Sequence, residues 1–283
     1  FLDMNPTAGC IYFESESALT SDMLKDRGID TTRVYHMPVA TVEEFRHQAV
    51  KILEKYGEQS ESDRPPLMMC LDSLGMLSTI KEMKDVSEDN QKRDMTKAQV
   101  IKGTFRVLTL MLAKVNVPFI VTNHVYDQIG TLYPTKVMGG GSAMQYAASS
   151  IVFLSKRKEK DGTEVIGNII HCKMQKSRMT KENKMVDVLL TYRHGLSKYY
   201  GLLEMAEAAG LFKKVSTRYE LPDGSKLFGK QILKNPEKHF TEDILNQIDN
   251  YTKVEYTYGR TEDEEIGEEE PDGNDTIGDK ESL

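Results

Sequence analysis

The chain has 283 residues, of which 39% are apolar and 29% charged, and its mean hydropathy is −0.48. No apolar run approaches the roughly 18 residues that span a bilayer, so an integral membrane protein is excluded. Three cysteines without regular spacing exclude a disulfide framework and a four-cysteine zinc site. They indicate a reducing compartment, which predicts a cytoplasmic protein.

Charge is unevenly distributed along the chain. Residues 261–283 hold eleven acidic residues and one lysine, a charge of −10, so the remaining residues of a chain with net charge −7 carry +3. A mildly basic body can bind a polyanion. The acidic tail, which we expect to be disordered, either competes with that polyanion or only keeps the protein in solution.

The first part of the chain alternates strand-like and helical patterns. Leu67–Leu71 is a continuous apolar run, which predicts a central parallel strand buried on both faces. Apolar residues at helical spacing predict the helices. The predicted strands are Cys10–Phe13, Arg33–Met37, Leu67–Leu71 and Pro118–Thr122. The predicted helices are a short one that Leu24–Arg27 closes before Gly28, then Val42–Tyr56 ended by Gly57, and Met95–Val115.

Two further segments lack such patterns and predict loops. Ser78–Asp94 is charged and is predicted to be mobile, and Val125–Gly141 ends in three glycines. Strands then dominate, with Asp161-Gly162 as a hairpin signal. The predicted elements are a helix over Ala143–Ala148, strands over Ser150–Leu154, Val165–Lys173 and Met185–Tyr192, and a helix over Leu202–Ala209 ended by Gly210.

These patterns predict an α/β fold with a mostly parallel central sheet and an antiparallel C-terminal extension. A core over residues 1–212 would be followed by a small region over residues 213–260 and the acidic tail.

Carboxylates follow two of the predicted strands. An aspartate at a strand end, here Asp72, holds Mg²⁺ through water in P-loop nucleotide hydrolases, although it is often just a turn residue. Glu14 and Glu16 would repel each other unless a metal, water or base uses them. A glutamate beside a γ-phosphate can activate the attacking water, and the alternative is an exposed acidic loop.

Two motifs could respond to phosphate. The pair Asn123-His124 follows a strand and could sense a γ-phosphate, although a single histidine is more often an ordinary surface residue. Gly139, Gly140 and Gly141 let backbone amides approach a phosphate and let the loop change shape, or they form a flexible linker.

Basic residues form two groups. The run Lys173-x-x-Lys176-Ser177-Arg178 could reach an anion on a neighbouring subunit, or it could be a solvated turn. The second group lies on the predicted helix after the charged loop and could contact a phosphate backbone, or simply form the helix's wet face. Its members are Lys97, Lys102 and Arg106.

The order of these motifs resembles the RecA family, and most closely the bacteriophage UvsX-type recombinases. The motifs in order are Cys-Ile-Tyr-Phe-Glu-Ser-Glu-Ser-Ala-Leu, Leu-Asp-Ser-Leu, Val-Thr-Asn-His, Gly-Gly-Gly-Ser-Ala, Lys-Ser-Arg and Tyr-Tyr-Gly-Leu-Leu. The resemblance spans roughly Cys10 to Phe212. It implies a RecA-like P-loop ATPase core that uses ATP and Mg²⁺, forms filaments on single-stranded DNA and catalyses homologous pairing and strand exchange.

The resemblance also implies roles for particular residues. Glu16 matches the glutamate that activates water, and Asp72 matches the Walker B aspartate on the Mg²⁺ shell. His124 stands where cellular relatives carry a glutamine that senses the γ-phosphate. Lys176 and Arg178 match the pair that reaches ATP across the subunit interface.

Two segments resemble the DNA-binding loops of the family, Ser78–Met95 and Val125–Gly141. The implied partners are single-stranded DNA, homologous duplex DNA, further copies of the chain in a helical filament, and single-strand-binding and mediator proteins, with no membrane. The implied host is a bacteriophage-infected cell, whose cytoplasm would hold the protein. The candidate DNA-binding residues are Met95, Lys97, Lys102, Arg106, Gly139, Gly140 and Gly141.

Two departures from the family pattern qualify the resemblance. Met23 stands where the family usually has a tyrosine that stacks on adenine, and methionine can cover a purine face less specifically. The motif Gly-x-x-x-x-Gly-Lys-[Ser/Thr] is missing from the sequence, so we expect this chain alone to bind ATP poorly. Either the sequence is a partial one that begins after the P-loop, or it is one half of a split protein.

Two other functions remain open on the sequence. A hexameric replicative helicase motor uses the same core but would unwind duplexes instead of forming joint molecules. A non-enzymatic DNA-binding module that has lost its P-loop is the other, and a P-loop encoded in frame upstream of Phe1 would exclude it.

Overall fold

The structure is a computed structural model that describes residues 1–88, 96–128 and 136–257. It divides into two compact units, Phe1–Ser149 and the residues from Ser150 onward. The division at Ser149 falls before residue 212, where the sequence predicts the end of the core. The predicted domain boundaries stay a prediction. The acidic tail, residues 261–283, lies outside the described residues.

The first unit contains a four-stranded parallel sheet in the order β2-β1-β3-β4. Its register places Glu14 opposite Asp72, so the carboxyl ends of β1 and β3 lie side by side. All four predicted strands are confirmed, within one or two residues at each end. Their bounds are Gly9–Glu14 for β1, Val34–Pro38 for β2, Leu67–Asp72 for β3 and Phe119–Val121 for β4.

Helices α2, α4 and α5 of this unit pack in the buried core on one face of the sheet. Phe13 packs edge-on against Phe45 of α2 with ring centroids 5.0 Å apart, and Phe105 of α4 lies tilted beside the Phe45 ring at 6.2 Å. These rings lie in one buried cluster. Among the described residues, no helix combines the length and apolar character needed to cross a bilayer. The helices are α1 Ser21–Lys25, α2 Val42–Glu58, α3 Ile80–Ser87, α4 Lys97–Lys114 and α5 Ser142–Ala147.

Strand β3 is buried on one face rather than on both. Met69 and Leu71 are each 1% exposed and point toward α2 and α4, whereas Met68 and Cys70 are only half-buried. The continuous apolar run therefore predicted the strand correctly, but its burial on both faces was wrong for the described residues. The neighbouring Ile120 on that second face is also exposed.

One loop prediction and one predicted helix end need correction. Residues 80–87 of the segment predicted as a mobile loop form α3, which begins with a capping box between Thr79 and Glu82. Its apolar residues Ile80, Met83 and Val86 repeat every three residues, but they stand among charged residues, and the segment was therefore predicted as a loop. Helix α2 continues through Gly57 and ends at Glu58.

The segment predicted as a second loop contains a short antiparallel ribbon. Strands β5, Val125–Asp127, and β6, Lys136–Met138, pair with Val125 opposite Met138. The sequence pattern missed them because three-residue strands bury little apolar surface. Residues 129–135 between them lie outside the described residues.

The second unit opens with an antiparallel sheet in the order β10-β9-β8-β7. The three predicted strands are confirmed, and the first two are longer than expected, since the hairpin between β7 and β8 extends to Asp161 and Glu164. Gly162 in its turn has φ +61°, as the Asp-Gly signal predicts. The bounds are Ser150–Asp161 for β7, Glu164–Ser177 for β8, Met185–Thr191 for β9 and Gly195–Leu196 for β10.

A small α+β region follows with a buried cluster of its own. Phe212, Tyr219 and Ile232 are buried there with residues of the last helix. A 2.7 Å bond from Lys184 Nζ to Glu255 Oε1 ties that helix to the chain before β9. The elements are α6 Leu202–Ala208, β11 Lys213–Val215, β12 Arg218–Glu220, β13 Lys226–Phe228, α7 Gly229–Lys234, α8 Pro236–His239 and α9 Glu242–Tyr256.

Gly167 in β8 and Gly103 in α4 make a matched test of how closely β8 packs against β9. A Cβ at Gly167 would lie 2.8 Å from the Thr191 Cα and would also strike the Leu190 carbonyl oxygen, whereas a Cβ at Gly103 of α4 meets no described atom within 4 Å. We expect Gly167→Ala to lower the free energy of unfolding by about 1–3 kcal/mol. Gly103→Ala should raise it by about 1 kcal/mol through helix propensity. Urea denaturation of both variants measures the two effects, and equal effects would contradict the register of β8 and β9.

Candidate functional site

Three of the predicted site residues meet at the carboxyl edge of the parallel sheet. Glu16 follows β1, Asp72 ends β3, and His124 lies three residues beyond β4. Open parallel sheets bind their ligands at this edge, because loops from adjacent strands converge there.

Glu16 contacts residues that follow β3 and β4. The Ser73 hydroxyl donates to Glu16 Oε1 at 2.7 Å, and His124 Nε2 lies 3.6 Å from the same oxygen. The Glu16 and His124 side chains are 38% and 45% exposed. A carboxylate held on one side and open on the other can accept a proton from a water molecule.

Glu14 has a different role from Glu16, and the sequence did not separate the two. The Glu14 side chain is 4% exposed, and its Oε1 accepts the backbone N–H groups of Glu16 and Ala18, both at 2.9 Å. Its Oε2 lies 3.8 Å from His36 Nε2. Glu14 therefore shapes the turn that carries Glu16, and the repulsion expected between the carboxylates is avoided because they face different groups.

The Asp72 carboxylate is held by one hydroxyl on each oxygen. Thr122 donates to Oδ1 at 2.6 Å, and Tyr12 donates to Oδ2 at 2.7 Å. Burial of the Tyr12 phenol, together with its hydrogen bond to Asp72, raises the pKa of Tyr12 above its usual value. The phenol therefore keeps its proton and remains a donor at neutral pH.

Ser15 holds the backbone beyond β3. Its hydroxyl accepts the Ser73 N–H at 2.9 Å and donates to the Ser73 carbonyl at 2.8 Å. Ser73 is 2% exposed, so its polar backbone needs these partners. The turn that positions Asp72 is thus attached to the turn that positions Glu16.

These residues fit a magnesium ion that is held mainly by phosphate and water. Asp72 and Glu16 offer the hard oxygen ligands that Mg²⁺ prefers, and each Asp72 oxygen keeps a lone pair beyond its single donor. Within the described ranges, no cluster of three metal-ligating side chains forms a complete protein cage. Mg²⁺ is commonly bound by one or two carboxylates plus substrate phosphates, so one aspartate is sufficient.

His124 is attached to the glycine-rich segment through its backbone. The Gly139 N–H donates to the His124 carbonyl at 3.0 Å, and Asn123 Nδ2 donates to the Gly139 carbonyl at 2.8 Å. Gly140 and Gly141 follow with φ values of +83° and +73°, a conformation that favours glycine. A displacement of His124 would therefore move this segment directly.

Met23 lies on α1 with its side chain 39% exposed. Its N–H is capped by the Thr20 hydroxyl, and its carbonyl accepts a bond from Arg27. Its predicted contact with adenine stays a prediction.

The candidate DNA-binding residues of α4 do not form one patch. Lys102 and Arg106 are exposed and four residues apart, so they share a face of the helix. Lys97 lies nine residues before Arg106, on the opposite side, and its Nζ is 3.4 Å from Glu82 Oε2. Met95 lies outside the described residues.

Lys176 and Arg178 lie at the end of β8 in the second unit. Lys176 pairs with Ile151, and Arg178 begins the turn after the strand. The buried Ser177 orders this turn, because its hydroxyl accepts the Thr180 N–H at 2.9 Å while its own N–H bonds to Glu182. Both cations are therefore presented by an ordered segment.

Comparison with known proteins identifies the family. Residues 4–197 match the family model described as RecA N-terminal domain. The chain belongs to the RecA family. It is 32% identical over 214 residues to the recombination and repair protein of Enterobacteria phage T4, covering 76% of this chain and 53% of the relative. It is 23% identical to protein RecA of Streptomyces rimosus, covering 88% of this chain and 64% of the relative.

Membership of the RecA family confirms the resemblance and the α/β fold that the sequence predicted. The chain spans about half the length of the phage relative and less than two thirds of the RecA just named. The roles of individual residues are not tested by these matches.

Proposed function

We propose that the full-length protein is an ATP-dependent recombinase, which forms filaments on single-stranded DNA and catalyses homologous pairing and strand exchange. One observation carries this proposal: Glu16, Asp72 and His124 converge at the sheet edge, and His124 is bonded to Gly139, the first of the three glycines. This arrangement joins a phosphate-cleaving site to an element that can change shape. The names of the matched relatives favour a recombinase over a helicase motor or a non-enzymatic module.

In this proposal the side chains at the sheet edge have separate roles in ATP hydrolysis. Ser73 and His124 hold Glu16 at Oε1, so the open side of its carboxylate orients the attacking water and accepts its proton. Asp72 holds the hydration shell of Mg²⁺, and the ion, when bound, neutralises charge on the phosphates. The triphosphate cradle and its lysine would come from a P-loop outside these 283 residues.

His124 would couple the presence of the γ-phosphate to the conformation of the segment that is proposed to bind DNA. A phosphate that attracts the imidazole displaces its backbone, and the bond from Gly139 N–H to the His124 carbonyl passes this displacement to Gly140 and Gly141. The two glycines have no Cβ and can adopt a second conformation at low cost. Nucleotide state and DNA affinity would then be coupled reciprocally.

Lys176 and Arg178 would complete the site of a neighbouring protomer. Cations that approach the γ-phosphate stabilise the charge that develops in the transition state, as arginine fingers do. A site shared between protomers forms only in the filament, which explains why DNA would stimulate hydrolysis.

The dependence of DNA affinity on salt concentration tests which residues contact phosphates. The face of α4 that carries Lys102 and Arg106 is proposed to contact phosphates, and each contact to a single strand contributes about 0.7 to the slope of log K against log salt concentration. We expect Lys102→Ala with Arg106→Ala to reduce that slope by about 1.4 in fluorescence anisotropy titrations with oligothymidine. Lys97→Ala, on the opposite face, serves as the control and should leave the slope unchanged. A reduced slope in the control alone would contradict the proposed face.

The partners beyond DNA stay predictions. Single-strand-binding and mediator proteins, a cytoplasmic location and competition of the acidic tail with DNA are all expected from the proposed activity.

The proposed function is tested by ATP hydrolysis with and without single-stranded DNA. The 283-residue chain is compared with a version extended upstream to include any encoded P-loop. We expect hydrolysis only from the extended version, with stimulation by DNA and formation of joint molecules from a homologous duplex. Hydrolysis accompanied by unwinding without joint molecules would favour a helicase, and no hydrolysis by either version would favour a DNA-binding module.

A further inference from the structure

The Asp72 carboxylate lies between hydroxyl groups from both neighbouring strands. Tyr12 comes from β1 and Thr122 from the residue after β4, and each donates to a different carboxylate oxygen. Both residues lie inside motifs that carry the RecA resemblance, but the resemblance assigned a role to neither of them. Only the strand order β1-β3-β4 places them on the two sides of Asp72.

The register explains why both groups reach the same carboxylate. Tyr12 pairs with Cys70, two residues before Asp72, so both side chains lie on one face of the sheet and the phenol extends forward along it. Val121 pairs with Leu71, which places Thr122 directly beside Asp72.

We propose that Tyr12 and Thr122 are positioning residues that hold the Asp72 carboxylate in one orientation toward a divalent cation. This inference rests on the proposed function, in which Asp72 serves the Mg²⁺ shell. Hydrogen bonds from a hydroxyl to a carboxylate are short and roughly twice as strong as neutral ones. With one donor on each oxygen, rotation of the carboxylate would break both bonds.

Burial alone does not require these bonds. Thr122 is exposed and Tyr12 is half-buried, so water could satisfy the Thr122 hydroxyl without Asp72. Loss of either hydroxyl should therefore change cation binding more than it changes folding.

The experiment measures Mn²⁺ binding to the full-length protein with ADP, from the loss of the free-Mn²⁺ signal in electron paramagnetic resonance. Residues that orient a metal ligand typically contribute about 10–100-fold to metal affinity. We expect Tyr12→Phe and Thr122→Val each to raise the Mn²⁺ dissociation constant by about tenfold. ATP hydrolysis should need more Mg²⁺ for half-maximal rate, with kcat unchanged at saturating Mg²⁺.

Tyr35→Phe is the matched control. Tyr35 is an exposed tyrosine of β2 that pairs with Ile11, so it lies on the face of the sheet opposite to Tyr12. This variant loses the same hydroxyl and should bind Mn²⁺ like the unchanged protein. A loss equal to that of Tyr12→Phe would overturn the inference, because the effect would not depend on contact with Asp72.

Asp72→Asn separates this inference from the proposed function. If Asp72→Asn binds Mn²⁺ normally, the proposed role of Asp72 fails, and the role of Tyr12 fails with it. If Asp72→Asn loses binding while Tyr12→Phe and Thr122→Val bind normally, only the positioning role is overturned. In the Asp72→Asn background, Tyr12→Phe should cause no further loss; a further tenfold loss would show that Tyr12 acts independently of Asp72.

Discussion

Replacing Glu16 with glutamine is expected to lower DNA-stimulated ATP hydrolysis by about 10²–10⁴-fold, the usual contribution of a positioned general base. Glutamine keeps the size of the side chain and an oxygen that can accept the bond from Ser73. It cannot accept a proton from water at neutral pH. Nucleotide binding and the melting temperature should therefore change little.

Glu14→Gln is the informative comparison, because it removes the other carboxylate of the same turn. Glutamine at this position can still accept the N–H groups of Glu16 and Ala18, so the turn should be preserved. Steady-state hydrolysis with single-stranded DNA, with binding of a fluorescent ATP analogue as a second measurement, distinguishes the two variants. A larger loss in Glu14→Gln than in Glu16→Gln would show that the wrong carboxylate has been assigned to water.

The double substitution Lys176→Ala with Arg178→Ala is expected to lower hydrolysis by about 10³-fold or more, as removal of an arginine finger does. Both residues lie on the ordered turn after β8, so the loss would not come from a disordered segment. DNA binding without nucleotide should be retained.

Mixing two inactive variants tests whether these cations act between protomers. A filament assembled from Glu16→Gln and from the Lys176/Arg178 double variant contains some interfaces in which both partners supply intact groups. Hydrolysis should then recover partly, in proportion to those interfaces. If the mixture stays inactive although both variants enter the same filament, the cations act within their own protomer. Lys173→Ala, a cation on the same strand, is the control for loss of charge alone.

Much of the first unit could be predicted because its signals are local. An apolar run such as Leu67–Leu71 favours a buried strand, and polar residues at its end mark the edge of the sheet. The short elements could not be predicted in this way. The apolar residues of helix α3 stand among charged ones, and β5 and β6, at three residues each, are too short for an alternating pattern to be recognised.

Local sequence patterns also failed to distinguish single residues of the candidate site. Glu14 and Glu16 are indistinguishable by residue type, yet one is 4% exposed and the other faces His124. Likewise, Lys97 joins Lys102 and Arg106 in sequence but points away from Arg106 on the helix. Burial separates Glu14 from Glu16, and position around the helix separates Lys97 from Arg106. Proximity along the chain shows neither difference.

By itself, the sequence determined the longer strands and helices of the first unit and the family resemblance, and it nominated Glu16, Asp72 and His124 as site residues, because each of these signals depends on neighbours along the chain. Only the tertiary structure decided that Tyr12 and Thr122 hold Asp72, and that Gly139 is bonded to His124. These contacts join residues up to 60 positions apart. They exist because parallel strands bring distant residues into register, a relation that no local pattern records.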